Sequence, residues 1–243
     1  MSTLLLRMSA PLQAWGYESK FETRRTSREP TKSGVIGLLA SALGRSRDES
    51  VQDLNELYFG VRVDHEGELI RDYHTAYRHS KNKTECCTYV THRYYLSDAV
   101  FLVGLESDKE ELLQKLNNAV LNPAFPLFLG RRSCPPTLPL SLGIRECSLL
   151  EALQSEPWLI SQYMQKKLKN RSDFKLRIIT DSDPKDSRAV RQKDVAVSFD
   201  PRKRQYGYRP IVEHTPITMV NKNYEFPEYN TEHDVMAELT GGD

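Results

Sequence analysis

The sequence predicts an α+β fold, and three observations lead there. Short apolar blocks of strand character occur in TLLLRMSA (3–10) and YLSDAVFLVGLE (95–106). Apolar residues recur at helical spacing in VIGLLASAL (35–43) and in SDKEELLQKLNNAVLN (107–122). The two kinds of segment alternate along the first half of a 243-residue chain, which is long enough for one large domain or two small ones.

Taken in order, TLLLRMSA is a buried opening strand stopped by Pro11. A polar, basic loop leads to the helix 35–43, with Thr31 or Ser33 as its N-cap and Gly44 closing it. ESVQDLNELYFG reads as a second short helix ending at Gly60. VRVD and ELIRDYHTA alternate and are expected to pair around Gly67. YRHSKNKTECCTYVTHR is polar and poor in core residues, which suits an extended hairpin or a long excursion. YLSDAVFLVGLE follows as a strand, and Ser107 is expected to cap the amphipathic helix after it. One more strand, sought in LFLGRRSCPPTLPLSLG, completes a βαββαβ pattern, the ferredoxin-like arrangement with helices on one face. Its prolines predict an irregular or edge strand. Residues 1–145 are thus expected to form one domain, and 146–243 a smaller β-rich lobe with an acidic tail. In that lobe SLLEALQSEP and WLISQYMQKKLKN read as helical, and FKLRIIT, DVAVSFD and RPIVEHTPITMV as strands.

A composition of 39% hydrophobic and 28% charged residues is that of an ordinary globular protein. No apolar run approaches the roughly 18–20 residues of a membrane span, so no membrane partner is expected. The short N-terminal apolar stretch is broken by Arg7 and does not read as a signal peptide. Cys86, Cys87, Cys134 and Cys147 form neither a disulfide framework nor a CxxC zinc pattern, which suits a reducing cytoplasm.

The formal net charge is only +1, but the charge is segregated. Residues 17–47 carry seven Lys/Arg against three Glu, 71–93 five against two acids, and 187–209 seven against two. Residues 225–243 hold six acids and no Lys or Arg. In the first segment Arg24, Arg25, Arg28 and Lys32 precede a helix start at Ser33 and Gly34, where free N–H groups and the helix dipole favour an anion. The P-loop spacing is absent, so nucleotide hydrolysis has no support. In the second segment Arg78, Lys81, Lys83 and Arg93 are interleaved with Tyr73, Tyr77 and Tyr89, a mixture that suits single-stranded nucleic acid. Tyr73, His74 and His92 leave open a metal-independent endoribonuclease that moves protons at a 2′-hydroxyl. In the third, Arg202 and Arg204 stand beside Tyr206 and Tyr208. Solvated loops account for any one of these clusters taken singly. Asp181, Asp183 and Asp186 read as an Asp/Ser turn in preference to a metal site, and Cys134 as a structural thiol; no cofactor is expected.

Six segments, MSAPLQAWG, REPTKSGVIGLLASALG, RDYHTA, HRYYLSDAVFLVGL, FPLFLGRRSCPP and RQYGYRP, occur in the order found in a known family. Together they resemble the Cas5 family of RAMP proteins in its type I-E CRISPR form, over residues from about 4 to 218. The resemblance implies an RRM-like, ferredoxin-like domain with a protruding β-hairpin thumb at about 71–93. It implies a non-catalytic subunit of the Cascade surveillance complex that grips the 5′ handle of the CRISPR RNA (crRNA). Its implied neighbours are the large subunit and the terminal backbone subunit, with target DNA reached only indirectly. Arg24, Arg28, Lys32, Ser33 and Gly34 correspond to a segment that faces RNA, and Arg93 to a basic position before the strand that follows the thumb. The acidic tail lies outside the resemblance and is expected to be solvated or to meet a protein partner.

Overall fold

The computed structural model describes residues 1–16, 22–79 and 86–225. In chain order the elements are β1 (Ser2–Ser9), β2 (Leu12–Gln13), β3 (Thr23–Arg24), α1 (Lys32–Ala42), α2 (Gln52–Asn55), β4 (Tyr58–His65), β5 (Glu68–His79), β6 (Cys86–Ser97), β7 (Val100–Ser107), α3 (Glu110–Leu121) and β8 (Ser141–Arg145). There follow α4 (Leu149–Ser155), α5 (Gln162–Lys167), β9 (Asp173–Leu176), β10 (Ile178–Asp181), β11 (Val190–Ser198), β12 (Gln205–Glu213) and β13 (Ile217–Val220). The fold is mixed α+β with mainly antiparallel sheets.

The chain divides into two compact units. Met1–Ile160 with Leu176–Ile217 form the larger, and Ser161–Lys175 with Thr218–Asp243 the smaller. In the larger unit a seven-stranded sheet runs in the order β11-β12-β10-β4-β7-β1-β8. It continues across residue 145, where the sequence suggested a boundary, because β10 pairs with β4 from Ile178↔Arg62 to Thr180↔Gly60. β1 and β7 are buried along nearly their whole length, as central strands covered on both faces must be.

One face is covered by α1 and α3 around Leu4, Leu6, Met8, Ile36, Leu39, Phe59, Phe101, Leu113 and Leu116. The other face is covered by α4, whose Leu149 and Leu153 pack with Leu5, Leu102 and Ile178. Gly60 explains how α4 fits there. The sequence suggested that this residue ends a helix; instead α2 stops at Asn55 and Gly60 lies inside β4. Gly60 stands opposite Gly104 in the β4–β7 ladder. A Cβ on Gly60 would lie 2.9 Å from the Leu153 side chain, and one on Gly104 2.4 Å from that of Leu149. The two glycines therefore make the flat seat on which α4 rests.

Arg62, fully buried, fixes the end of the same helix. Its guanidinium makes a two-point contact with Asp64 at 2.7 and 2.9 Å. It also donates to the carbonyls of Leu153, Glu156 and Pro157, which the helix end leaves unpaired.

Three local expectations are corrected. β4 and β5 do not pair with each other around Gly67; β4 lies in the seven-stranded sheet, while β5 pairs along its full length with β6, from Glu68↔Ser97 to His79↔Cys86. The reason is that β4 is apolar enough to be buried, whereas β5 exposes Leu69, Ile70, Tyr73 and Tyr77. Ser107 is not the cap of α3; Lys109 holds that position, and the Ser107 hydroxyl accepts from the Lys109 N–H at 3.1 Å. FKLRIIT is two strands, split at Arg177, whose guanidinium pairs with Glu213 and Glu66. In the smaller unit, β9 pairs with β13.

Candidate nucleic-acid interface

The start of α1 comes first, because the sequence singles it out. Thr31 is the N-cap and its hydroxyl accepts from the Gly34 N–H at 3.3 Å. The Lys32 N–H is taken by the Asp194 carboxylate at 2.9 Å. Lys32 itself is not a surface cation. It is 5% exposed, and its ammonium binds Asp181 at 2.9 Å and the Leu57 carbonyl at 2.7 Å. Asp181 also accepts from Arg209, which pairs with Asp194 through two bonds of 2.7 and 2.9 Å. A charge-balanced, buried network of two cations and two carboxylates thus occupies the helix tip, so the Lys32 N–H and ammonium are already taken by partners of the same chain. The glycines are also spoken for. A Cβ on Gly34 would come within 2.9 Å of the Trp15 ring, and one on Gly37 within 3.4 Å of the Phe199 ring. Aromatic side chains of the same chain fill the space beside both glycines.

The remaining cations do converge. A cleft of about 1140 Å³ opens beside α1, lined by Arg24, Arg25, Arg45, Arg47, Arg131, Arg132 and Arg204. Ser33 and Gly34 reach it from the first turn of α1. Trp15, Phe125, Phe128, Phe199 and Tyr206 contribute rings. Among the described residues no Asp or Glu lines it. Seven arginines, of which Arg45 is paired with Asp53, thus give a ring-lined cleft positive charge and surfaces on which planar groups can stack.

Two of these arginines are held in place. Arg45 is locked by Asp53 through bonds of 2.6 and 2.5 Å, and it donates to the Ser50 carbonyl. The hydrogen bond from Arg45 holds the Asp53 carboxyl below its usual range. Arg131 lies over the Tyr95 ring, 4.5 Å from its centre, and donates to the Arg24 carbonyl at 2.9 Å. Burial alone pushes the Tyr95 phenol up, but hydrogen bonds from Arg131, Ser133 and Arg93 outweigh it and bring it below its ordinary value. One Arg131 nitrogen, Nη1, and the Arg93 Nε are buried without a hydrogen-bond partner. Two guanidinium groups therefore meet at one phenol with donors to spare.

The loop carrying Arg131 is fixed from below. Gly130 has φ +82°, and a Cβ there would lie 1.6 Å from the Ala14 carbonyl oxygen. The Ala14 N–H donates to the Leu129 carbonyl, so the GRRS loop and the loop before Trp15 are interlocked.

Of the residues expected from sequence, Arg24, Arg25, Ser33, Gly34 and Arg204 line the cleft. Arg93 lies behind it, through Tyr95. Arg28 and Arg202 are exposed and do not line it. Arg78 sits in β5 opposite Cys87, and Lys81 and Lys83 lie outside the described residues, as does the tail from 226 onward. Arg45, Arg47, Arg131 and Arg132 were not singled out. The signal for the last two was the paired arginine in GRRS, and for the first two their place just past Gly44.

Tyr73 and His92 are cross-strand partners with rings 5.8 Å apart, while His74 falls on the opposite face of the β5–β6 ladder. Asp181 is absorbed by the buried network and Asp186 by Arg188. Among the described residues no group of three or more His, Cys, Asp or Glu is arranged to hold a metal. Burial raises the Cys134 pKa, which suits a structural thiol.

Comparison with known proteins places this geometry in context. A family model described as "CRISPR-associated protein (Cas_Cas5)" matches residues 3–212. The CRISPR system Cascade subunit CasD of Escherichia coli (strain K12) is 42% identical over 169 residues, covering 60% of this chain and 73% of that protein. A solved structure described as a Cas protein is 38% identical with a TM-score of 0.66, covering 91% of this chain and 97% of its own. A chain of a CRISPR RNA-guided surveillance complex is 26% identical with a TM-score of 0.74, covering 98% of this chain and 99% of its own. The match spans nearly all of the larger unit and includes every arginine of the cleft, and on that ground the chain belongs to the CRISPR-associated Cas5 family.

Proposed function

We propose that this protein is a non-catalytic, RNA-binding subunit of a type I-E Cascade complex. In this reading it grips the 5′ handle of the crRNA and joins the large subunit to the terminal backbone subunit in antiviral defence. Sequence recognition of target DNA is indirect, through the assembly. The observation that carries the reading is the arginine-lined cleft, which no acidic residue among the described residues lines. A single RNA strand offers it phosphates for the guanidinium groups and bases for the rings. Family membership supports the assembly, since the E. coli relative is named a Cascade subunit and a structural relative belongs to an RNA-guided surveillance complex.

Within this reading, β1, α1, β4, β7, α3 and β8 form the ferredoxin-like, RRM-like unit; the strand order β4-β7-β1-β8 supports it. The β5–β6 hairpin is the thumb, and Arg78, Lys81, Lys83 and Arg93 carry its contacts to RNA. Arg24, Arg25, Arg131, Arg132 and Arg204 hold the strand in the cleft, Arg28 and Arg202 extend the basic surface, and Lys32 serves the fold. A cytoplasmic location suits the assembly and the free thiols of Cys134 and Cys147. No helix among the described residues is long and apolar enough to cross a membrane.

The test is purification of the complex from cells expressing all subunits, with Arg24, Arg25 and Arg132 changed to Ala. RNA occupancy is expected to fall severalfold, and full occupancy would contradict the proposal. For the free protein, RNA affinity is expected to fall with salt, with a slope of about −0.7 per phosphate contacted.

A further inference from the structure

The smaller unit carries a basic surface of its own. Lys166, Lys167, Lys169, Arg171, Lys175 and Lys222 are all exposed. Among the described residues of that unit only Asp173 and Glu225 oppose them. Glu225 engages a single lysine, Lys169, at 2.6 Å. Asp173 accepts from the Ser172 hydroxyl at 2.9 Å.

The turn that presents these cations is built, not merely solvated. Asn221, 2% exposed, shares its side-chain amide among the carbonyls of Gln165, Leu168 and Arg171. Its own N–H donates to the Ser172 carbonyl at 2.8 Å. The Asn223 amide donates to the Gln165 side chain at 3.2 Å. One buried asparagine thereby fixes the end of α5 and the turn into β9, the stretch of chain that carries Lys166, Lys167, Lys169 and Arg171. Holding like charges side by side is unfavourable without an anion to face them. Beside the turn, a hollow of about 580 Å³ is lined by Asn170, Arg171, Ser172, Asp173, Phe174 and Lys175, with Tyr224. The Arg171 guanidinium lies 6.0 Å from the Phe174 ring centre, so that ring supports the cation.

We propose that this surface binds the phosphate backbone of a nucleic-acid duplex. Five of its six nearby cations, Lys166, Lys167, Lys169, Lys175 and Lys222, are lysines, which act as point charges on phosphate without reading base edges. It lacks the five-ring wall that suits the cleft to single strands. The inference does not depend on the cleft's role and goes beyond it.

The experiment uses the full chain and two fluorescent probes, a 20-base-pair DNA duplex of arbitrary sequence and a single-stranded RNA of equal length. Binding is measured over a salt series for wild type and for a Lys166→Gln, Lys167→Gln, Arg171→Gln, Lys175→Gln variant. A matching variant with the three lysines changed to Arg keeps the charge. The Gln variant is expected to lose at least tenfold in duplex affinity at low salt. Its salt slope should be shallower by about 0.9 for each phosphate contact removed. The Arg variant should bind the duplex as wild type does, and RNA binding should change little. All substituted side chains are exposed, and unchanged thermal unfolding confirms that the fold is intact. A wild-type chain that ignores the duplex, or a Gln variant with unchanged affinity and slope, overturns the proposal. Loss of RNA binding alone also overturns it, by showing that the lysines serve the single strand.

Discussion

The Asp194 carboxylate accepts a hydrogen bond from the Lys32 N–H at 2.9 Å while it pairs with Arg209 through two further bonds. One side chain thus closes the tip of α1 and ties it to β11 and β12. Arg209 in turn lies over Phe59, 5.0 Å from the ring centre, and reaches Asp181. Asp194→Ala leaves the buried Arg209 with half its partners and the Lys32 N–H at the start of α1 without its acceptor. A loss of roughly 3–5 kcal/mol is expected, the cost of breaking a buried pair from one side. Urea unfolding measures it; a change under 1 kcal/mol would show that the network is not structural.

Gly130→Ala tests the interlock beneath the cleft. The positive φ alone costs an L-residue roughly 1–2 kcal/mol, and the Ala14 carbonyl occupies the place of the new methyl. The loop must move, taking Arg131 and Arg132 with it. The expected outcome is a lowered unfolding temperature together with weaker RNA binding. Gly143→Ala is the control: φ is +87° there but its Cβ meets nothing closer than 3.6 Å. It should cost stability without affecting RNA.

His214 gives the stability a pH dependence. Its ring bonds the Thr180 hydroxyl at 2.9 Å. Burial, and then the charge of Arg188, lowers its pKa below the ordinary 6.5, with Asp186 opposing. The unfolded chain therefore takes up the proton more readily than the folded one. The stability contribution is complete above about pH 6.5 and is lost as pH falls through the lowered folded value. Between pH 7.5 and 5.5 the wild type should lose more stability than His214→Gln, as read from urea midpoints. Parallel losses would contradict the assignment.

Much of the fold was legible because local signals agreed with tertiary demands. Thr31 caps α1, Gly44 ends it with φ +78°, and the strands on either side of residues 80–85 pair as β5 and β6. The misses have a common cause. Lys32 read as a surface cation because its partners, Asp181 and Asp194, lie 149 and 162 positions away. Gly60 read as a helix end because nothing nearby in sequence announces the α4 leucines that need its missing side chain. Arg131 and Arg132 read as part of a motif; only folding brings them beside Arg24. Charge segregation foretold a basic site but not which cations the fold would consume internally.

Arg131→Lys separates charge from shape at the cleft. Lysine keeps the positive charge but loses the planar contact with Tyr95 and the fork that reaches the Arg24 carbonyl. RNA affinity is expected to fall about tenfold, and the Tyr95 phenol should titrate closer to its ordinary value in an ultraviolet pH titration. Wild-type RNA affinity would show that only net charge matters there.

The central claim is that dispersed arginines gather in one cleft to hold one RNA strand. Its most direct measurement is the RNA content, by absorbance ratio and gel, of the complex assembled with Arg24→Ala, Arg25→Ala and Arg132→Ala in this subunit. The account predicts severalfold loss of bound RNA while the subunit stays folded. Full RNA occupancy with all three arginines removed would contradict it.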